Sequence, residues 1–261
     1  MQFIPLLNGG KMPAVGLGTW ELREEACAKT VKKALSLGYR HIDTAEFYGN
    51  EEVIGKCLRE SGIPRGELFV TTKVWTDHFR ASAFKKAAEN SLLKLRLDEV
   101  DLLLIHWPNP AVPLAETVGA LCQLAKEGKT RAIGVSNFSV PQLQAAVSLA
   151  SVPIACDQVK FNLAEGQKEL LAYAQSKGIN ITAYTPLGRG SFLLNPILSE
   201  IARVHGKTPA QTALRWLVQQ KGVSAVPKSV GKKHLQDNLE IFDFELSLAE
   251  MTRLGHLAGE A

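Results

Sequence analysis

Short apolar segments alternate with helical segments along almost the whole chain, and this alternation constrains the fold most strongly. After residue 13 the sequence contains eight short segments that are apolar on both faces, each followed by a segment with helical periodicity. Strands that are buried on both faces indicate a parallel sheet covered by helices. Eight such units in 261 residues favour a closed (β/α)₈ barrel over an open sheet. We therefore predict an α/β protein with a single barrel domain over residues 1–261.

The predicted elements follow one another in a regular order. A β-hairpin is expected at the N-terminus, over residues 3–7 and 11–13, with Asn8-Gly9-Gly10 as its turn. The predicted barrel strands are residues 14–20, 40–43, 69–73, 101–106, 130–135, 154–158, 180–184 and 222–226. The predicted helices, with extra ones towards the C-terminus, are residues 24–37, 50–60, 82–95, 114–127, 141–150, 166–177, 196–205, 209–220, 232–240 and 248–257. Asn50 is expected to cap the second of these helices.

Composition argues against several classes of protein. The formal net charge of +4 is mild and unclustered, which does not suggest a nucleic-acid surface. No window reaches the ~18 apolar residues of a membrane span, and residues 1–12 lack the apolar core of a signal peptide. The four cysteines have no metal-type spacing and suggest reduced thiols. We expect a monomeric cytoplasmic protein without nucleic-acid or membrane partners.

Side chains suited to proton transfer follow three consecutive predicted strands. Asp43 ends the second strand and Tyr48 follows it closely, Lys73 ends the third strand and His106 ends the fourth. The carboxyl ends of barrel strands meet at one face, so these four side chains are predicted to meet there. Lys73 paired with Asp43 would place a cation beside the phenol of Tyr48 and lower its pKa. His106 would then donate to a carbonyl oxygen and orient it.

Taken singly, each of these residue types is also common in roles unrelated to catalysis. An aspartate at a strand end is commonly a cap or an ion-pair partner, and a tyrosine or histidine there is commonly a packing residue. Lys73 also suits the Schiff-base lysine of an aldolase. A metal site is not expected, because one histidine and one aspartate form an incomplete ligand set. An open dinucleotide-binding sheet is disfavoured, because the glycines at 16 and 18 lack the third glycine of that fingerprint.

Several motifs, in order along the chain, resemble those of the aldo-keto reductases. They are Gly16-Leu17-Gly18-Thr19-Trp20, Asp43-Thr44-Ala45 through Tyr48-Gly49-Asn50-Glu51, Thr72-Lys73-Val74-Trp75, Leu104-Ile105-His106-Trp107-Pro108, Gly134-Val135-Ser136-Asn137-Phe138 and Pro227-Lys228-Ser229. The similarity extends from about residue 5 to 240 and is closest to short bacterial members resembling 2,5-diketo-gluconate and methylglyoxal reductases. The resemblance implies a reductase that converts small aldehydes, ketones or keto-sugars to alcohols with NADPH, and with NADH as a weaker donor.

The resemblance also implies a role for each site residue. Tyr48 becomes the general acid, Lys73 and Asp43 its tuning pair, and His106 the orienting donor. The implied cofactor contacts are Gly18, Thr19, Asp43, Ser136, Asn137, Gln158, Tyr184, Thr185, Pro186, Leu187, Gly188, Arg189, Lys228, Ser229, His234, Asp237 and Asn238. Of these, Ser136, Asn137 and Gln158 hold the carboxamide, and Tyr184 stacks on the nicotinamide ring. The expected substrate wall consists of Trp20, Phe47, Tyr48, Trp75, His106 and Trp107.

Two departures from the family pattern lead to further expectations. Lys228 and Ser229 are assigned to the adenosine 2′-phosphate, but His234 occupies a position where the family commonly has arginine. Because a histidine is mostly neutral above about pH 6.5, the preference for NADPH is expected to be weaker than is usual in the family. Only a strand-like segment and one helix are expected after Asn238, so we predict an open pocket and broad turnover. The alternative function is a non-catalytic nicotinamide-binding accessory protein on the same barrel.

Overall fold

A computed structural model describes residues 2–259 of the chain. Within these residues, strands β1 (Phe3–Pro5) and β2 (Lys11–Pro13) form an antiparallel hairpin. An eight-stranded parallel sheet then follows chain order. Its strands are β3 (Leu17–Gly18), β4 (His41–Asp43), β5 (Phe69–Val74), β6 (Val100–Ile105), β7 (Thr130–Ser136), β8 (Ile154–Lys160), β9 (Asn180–Tyr184) and β10 (Val223–Ala225).

The first and last strands of the sheet close it into a barrel. Val15 forms a parallel bridge with Ala225. The Gly16 N–H donates to the Ala225 carbonyl at 2.9 Å, and the Gly18 N–H donates to the Pro227 carbonyl at 3.1 Å. These contacts join the start of the barrel to its end, and the predicted (β/α)₈ fold is confirmed.

Helices surround the sheet, and their bounds lie within two residues of those predicted. They are α1 (Glu24–Ser36), α2 (Glu51–Glu60), α3 (Ala81–Leu95), α4 (Leu114–Lys126), α5 (Val140–Leu149), α6 (Lys168–Lys177), α7 (Pro196–Val204), α8 (Pro209–Gln219), α9 (Lys232–Leu239) and α10 (Leu248–Leu257). Two strand predictions were wrong: the first barrel strand is much shorter than residues 14–20, and the strand-like segment after Asn238 is irregular. None of the helices within residues 2–259 is both long and apolar enough to cross a membrane.

The hairpin covers the amino-terminal end of the barrel. The Asn8 side-chain amide donates to the Arg131 carbonyl at 2.6 Å, and the Asn180 amide donates to the Pro5 carbonyl at 3.0 Å. Apolar hairpin side chains pack with residues of the strands in one cluster, made of Leu6, Met12, Phe69, Leu102, Leu104, Ala132, Ala155 and Cys156. This end of the barrel is therefore filled, which leaves the carboxyl end for a binding site.

Asn50 precedes α2, but its side chain does not cap that helix. Its Nδ2 donates to the carbonyls of Thr19 (3.0 Å) and Leu22 (2.9 Å), and its Oδ1 accepts from the Thr44 hydroxyl at 2.6 Å. The side chain thus braces the loop after β3 against the loop after β4. The predicted cap was wrong because buried backbone carbonyls of a distant turn need donors, and only a tertiary contact supplies them.

Candidate active site

The carboxyl ends of β4, β5 and β6 bring the four predicted catalytic residues together. Asp43 ends β4, Tyr48 ends a short 3₁₀ turn in the loop after it, Lys73 lies on β5 and His106 follows β6. The Lys73 ammonium donates to Asp43 Oδ1 at 2.7 Å and to the Thr44 carbonyl at 2.9 Å. It lies 5.1 Å from the centre of the Tyr48 ring, which in turn lies 5.7 Å from the His106 ring.

The Tyr48 phenol is subject to two opposing effects. Burial raises its pKa, while the charge of Lys73 and a hydrogen bond to it lower the pKa, and the net direction is upward. The net lowering expected from the sequence is therefore not found, because loss of hydration of the phenolate outweighs the nearby cation. Tyr48 consequently keeps its proton at neutral pH, as a general acid must before it reacts.

The Lys73 side chain is fully buried, and its charge is balanced by its neighbours. Burial lowers the pKa of Lys73, but Asp43 and Tyr48 together reverse this effect and leave the pKa raised. Asp43 is itself satisfied, since its second oxygen accepts from Gln158 Nε2 at 2.7 Å. A Schiff base requires a neutral amine, so the raised pKa of this lysine disfavours the aldolase interpretation.

His106 is a neutral hydrogen-bond donor. Burial, reinforced by the charge of Lys73, lowers its pKa to about 3. Its Nδ1 is buried without a partner among the described residues, which leaves Nε2 as the nitrogen that faces the cavity. An unpaired buried N–H is more costly than an unpaired acceptor, so we place the proton on Nε2. The ring thus presents an N–H towards the cavity.

These groups open into a cavity of about 650 Å³ at the carboxyl face of the barrel. An aromatic stack forms part of its wall: the Trp20 and Phe47 rings lie 5.7 Å apart, and the Phe47 and Trp75 rings 3.9 Å apart, both nearly parallel. All six residues of the predicted substrate wall line this cavity. An apolar, stackable surface therefore lies beside the phenol of Tyr48 and the imidazole of His106.

A polar network extends from the catalytic residues across the ends of β6 to β9. Asn137 adopts a left-handed backbone conformation (φ 64°), which asparagine tolerates better than most residues. Its Nδ2 donates to the His106 carbonyl (3.2 Å) and to Ser136 Oγ (2.9 Å), and its Oδ1 accepts from the Tyr184 hydroxyl at 2.7 Å. Ser136 Oγ donates to the Gln158 carbonyl at 2.7 Å. This network fixes the orientation of the Tyr184 ring.

Gln158 provides the observation that fits a nicotinamide. Its Nε2 is engaged by Asp43, whereas its Oε1 has no hydrogen-bond partner within residues 2–259. The residue lines the cavity together with Tyr184. A free amide acceptor beside an aromatic face suits a planar ring that carries a carboxamide.

The other predicted cofactor residues divide into two groups. Those that also line the cavity are Gly18, Thr19, Asp43, Thr185, Pro186, Leu187, Arg189 and Lys228. Those outside its lining are Gly188, Ser229, His234, Asp237 and Asn238. On α9, His234 is exposed, Asp237 pairs with Lys233 at 3.2 Å and Asn238 is buried. Cofactor contacts by both groups remain predictions.

Comparison with known proteins identifies the family. The sequence profile described as "Aldo/keto reductase family" matches residues 14–258. The chain belongs to the aldo/keto reductase family. It is 42% identical over 255 residues to the glyoxal reductase of Bacillus subtilis, with 97% of this chain and 92% of that protein covered. It is 39% identical over 249 residues to the methylglyoxal reductase DkgB of Escherichia coli O157:H7, with 94% and 93% covered.

A solved structure supports the same assignment. The aldose reductase of Schistosoma japonicum superposes with a TM-score of 0.93 at 38% identity, over 98% of this chain and 92% of that one. As an aldo/keto reductase, the protein is an oxidoreductase that acts on carbonyl groups, and its family uses nicotinamide cofactors.

Two residues of this aldo/keto reductase were missed by the sequence analysis. Glu21 lines the cavity and lies 2.7 Å from the Lys228 ammonium, which holds the pKa of its carboxyl below the usual range. The sequence signal that could have identified Glu21 as a cavity residue is its position directly after Trp20, which was predicted to line the substrate wall. Asp157 neighbours Gln158 on β8, and both its carboxyl oxygens are buried without a side-chain partner within residues 2–259. Burial raises its pKa to about 8, although the backbone N–H of Phe138 acts in the opposite direction. Within residues 2–259, no three His, Cys, Asp or Glu side chains gather as metal ligands.

Proposed function

We propose that this aldo/keto reductase reduces small aldehydes, ketones or keto-sugars to alcohols with NADPH, and that Tyr48 is the general acid. The observation that carries the proposal is the position of Tyr48 in the cavity lining, with the Lys73 ammonium 5.1 Å from its ring and the His106 ring 5.7 Å from it. When bound, the nicotinamide supplies a hydride to the carbonyl carbon. The protein must then deliver one proton to the carbonyl oxygen.

The residues of the chain divide this task. His106 Nε2–H donates to the carbonyl oxygen, which orients and polarises the bond. Tyr48 transfers its proton to the same oxygen as negative charge develops there. The Lys73 ammonium stabilises the resulting phenolate, and Asp43 holds that ammonium in place at 2.7 Å.

The cofactor is assigned to the polar side of the same cavity. The carboxamide is proposed to bind Ser136, Asn137 and Gln158, with the nicotinamide ring against Tyr184. The cation of Lys228 is proposed to contact the adenosine 2′-phosphate, because a dianion suits a lysine better than a ribose hydroxyl does. This placement leaves the aromatic stack for the substrate.

We infer that the protein accepts a range of small carbonyl compounds. Its relatives are named for glyoxal and methylglyoxal. Within residues 2–259, no residue after Lys228 lines the cavity, so the segments after Lys228 contribute no selective cover. We therefore expect modest affinities and discrimination between close analogues well below ~10⁴-fold.

A cofactor-oxidation screen tests the proposal. NADPH and NADH are each offered with methylglyoxal, aromatic aldehydes and keto-sugars, and the alcohol products are identified. Several substrates are expected to be reduced, with NADPH the better donor. Tight NADPH binding without reduction of any carbonyl would instead support the accessory-protein alternative. Borohydride trapping with a carbonyl compound but no cofactor is expected to leave Lys73 unmodified.

A further inference from the structure

An ion pair joins the loop after the first barrel strand, β3, to the loop after the last barrel strand, β10. Glu21 Oε2 lies 2.7 Å from Lys228 Nζ, a contact between residues 207 positions apart. Glu21 follows β3 and Lys228 follows β10, and both line the cavity. The side chains are 53% and 41% exposed, so an anion from solvent can reach either of them. Because both side chains are exposed, solvent weakens this ion pair, and an incoming anion can compete with it.

The turn that carries Glu21 is held in place by buried contacts. The Leu22 N–H donates to the Thr19 carbonyl at 3.0 Å, and Asn50 Nδ2 binds the carbonyls of both Thr19 and Leu22. Glu21 itself adopts a left-handed conformation (φ 65°), which is uncommon for a glutamate. The carboxylate is therefore presented to Lys228 from a braced turn.

Glu21 is also the one carboxylate of the cavity lining that is available to oppose a phosphate. The acidic residues among the cavity-lining residues are Glu21 and Asp43. Asp43 is engaged by Lys73 and Gln158. The other cation of the lining, Arg189, acts on Glu21 through its charge.

A phosphate dianion that binds Lys228 must either displace Glu21 or lie beside a carboxylate, and both are unfavourable. A ribose 2′-hydroxyl instead can donate a hydrogen bond to that carboxylate. We propose that Glu21 is a specificity-determining residue that weakens the preference for NADPH by competing with the adenosine 2′-phosphate for Lys228. This inference rests on the proposed function, which assigns that phosphate to Lys228.

Two cofactor fragments that differ only in the 2′-phosphate test the proposal without turnover. The affinities of 2′,5′-ADP and 5′-AMP are measured by titration calorimetry for the wild type and Glu21→Gln. The variant is expected to bind 2′,5′-ADP about three- to tenfold more tightly, the effect of removing one exposed competing charge, with 5′-AMP unchanged. An unchanged affinity for 2′,5′-ADP, or an equal gain for both fragments, would overturn the proposal.

Two further variants separate this inference from the cofactor assignment. Glu24→Gln removes an exposed carboxylate from the same segment but outside the cavity lining, and is expected to change neither affinity. Lys228→Met is expected to weaken 2′,5′-ADP and to abolish the gain from Glu21→Gln. If Lys228→Met leaves 2′,5′-ADP binding intact, the phosphate assignment itself is wrong. If it weakens binding while Glu21→Gln has no effect, only the role of Glu21 is wrong.

Discussion

At the scale of single residues, burial sets the charge states in the active site. It keeps the Tyr48 phenol protonated and lowers the pKa of His106 to about 3, so both can donate hydrogen bonds at neutral pH. Lys73 remains charged because Asp43 and Tyr48 offset the loss of hydration. The buried Lys73 ammonium therefore contributes most after proton transfer, when it stabilises the negative charge of the Tyr48 phenolate.

Replacing Lys73 tests this division of roles. Lys73→Met is expected to lower kcat by roughly 10²-fold or more, because the phenolate loses its stabilising cation. The single variant also leaves Asp43 buried without its ion-pair partner and should lower the melting temperature. The double variant Lys73→Met/Asp43→Asn removes both charges and is expected to recover stability but not kcat. Recovery of kcat to within a few-fold of wild type in the double variant would exclude Lys73 from the tuning role.

Asp157 links stability to pH. Its folded pKa of about 8 lies above the usual value of 3.8, so the unfolded chain ionises first as pH rises. Stability is therefore lost between about pH 4 and pH 8 as the unfolded carboxyl ionises. The Asp157 carboxylate in turn contributes to the raised pKa values of Tyr184 and Cys156. The neighbouring helix α5 carries no charged side chain that could pair with Asp157.

Asp157→Asn removes this ionisation. We expect its gain in unfolding free energy to be larger at about pH 8 than at about pH 5, by roughly 2 kcal/mol or more. Urea denaturation at both pH values measures the difference. Asp98→Asn, at an exposed position, is the matched control and is expected to show little dependence on pH. An equal effect of Asp157→Asn at both pH values would contradict the account.

At the scale of elements, tertiary contacts override local capping in the loops that carry the site. Asn50 stands where an N-cap is expected, yet its amide braces the turn that holds Trp20 and Glu21. By contrast, Asn195 caps α7 as local rules predict, since its Oδ1 accepts from the Ile197 N–H at 2.9 Å. The two asparagines therefore have the same local position and different functions.

Substitution by aspartate distinguishes a cap from a brace. Aspartate caps a helix about as well as asparagine, but it cannot donate an N–H. Asn50→Asp is expected to cost about 2–4 kcal/mol, because two buried carbonyls lose their donor and face an anion. Asn195→Asp is expected to change stability by less than about 0.5 kcal/mol. Equal effects of the two substitutions in chemical denaturation would show that Asn50 is an ordinary cap.

At the scale of the whole molecule, local patterns predicted the barrel and four neighbouring candidate catalytic residues, whereas the cofactor contacts came from the family resemblance and stay predictions. Each βα unit is short in sequence, so the order of strands and helices follows from periodicity, and the barrel places Asp43, Lys73 and His106 at one face. Contacts between distant segments were not predictable. The pairing of Glu21 with Lys228 depends on barrel closure, and the net pKa shift of Tyr48 depends on how completely the folded chain excludes water from it.

Cofactor preference is expected to depend on the residue at position 234. The family resemblance implies an arginine there that contacts the 2′-phosphate, whereas this chain has an exposed histidine on α9. His234→Arg is expected to raise the kcat/KM ratio of NADPH to NADH at about pH 8, because arginine is always charged and can bind a phosphate with two donors. His256→Arg, at an exposed position on α10, is the charge-matched control. If the wild type already prefers NADPH strongly at pH 8 and His234→Arg does not change the ratio, His234 has no role in cofactor preference.

The central claim is that Tyr48 delivers the proton to the carbonyl oxygen, and Tyr48→Phe tests it most directly. The variant keeps the aromatic ring against Trp20 and His106 and removes only the hydroxyl. Its kcat is measured beside that of Tyr173→Phe, which removes a hydroxyl on α6, and cofactor affinity is measured for both. We predict that Tyr48→Phe lowers kcat by roughly 10²-fold or more with cofactor affinity nearly unchanged, while Tyr173→Phe turns over normally. Turnover of Tyr48→Phe within a few-fold of wild type would contradict the account.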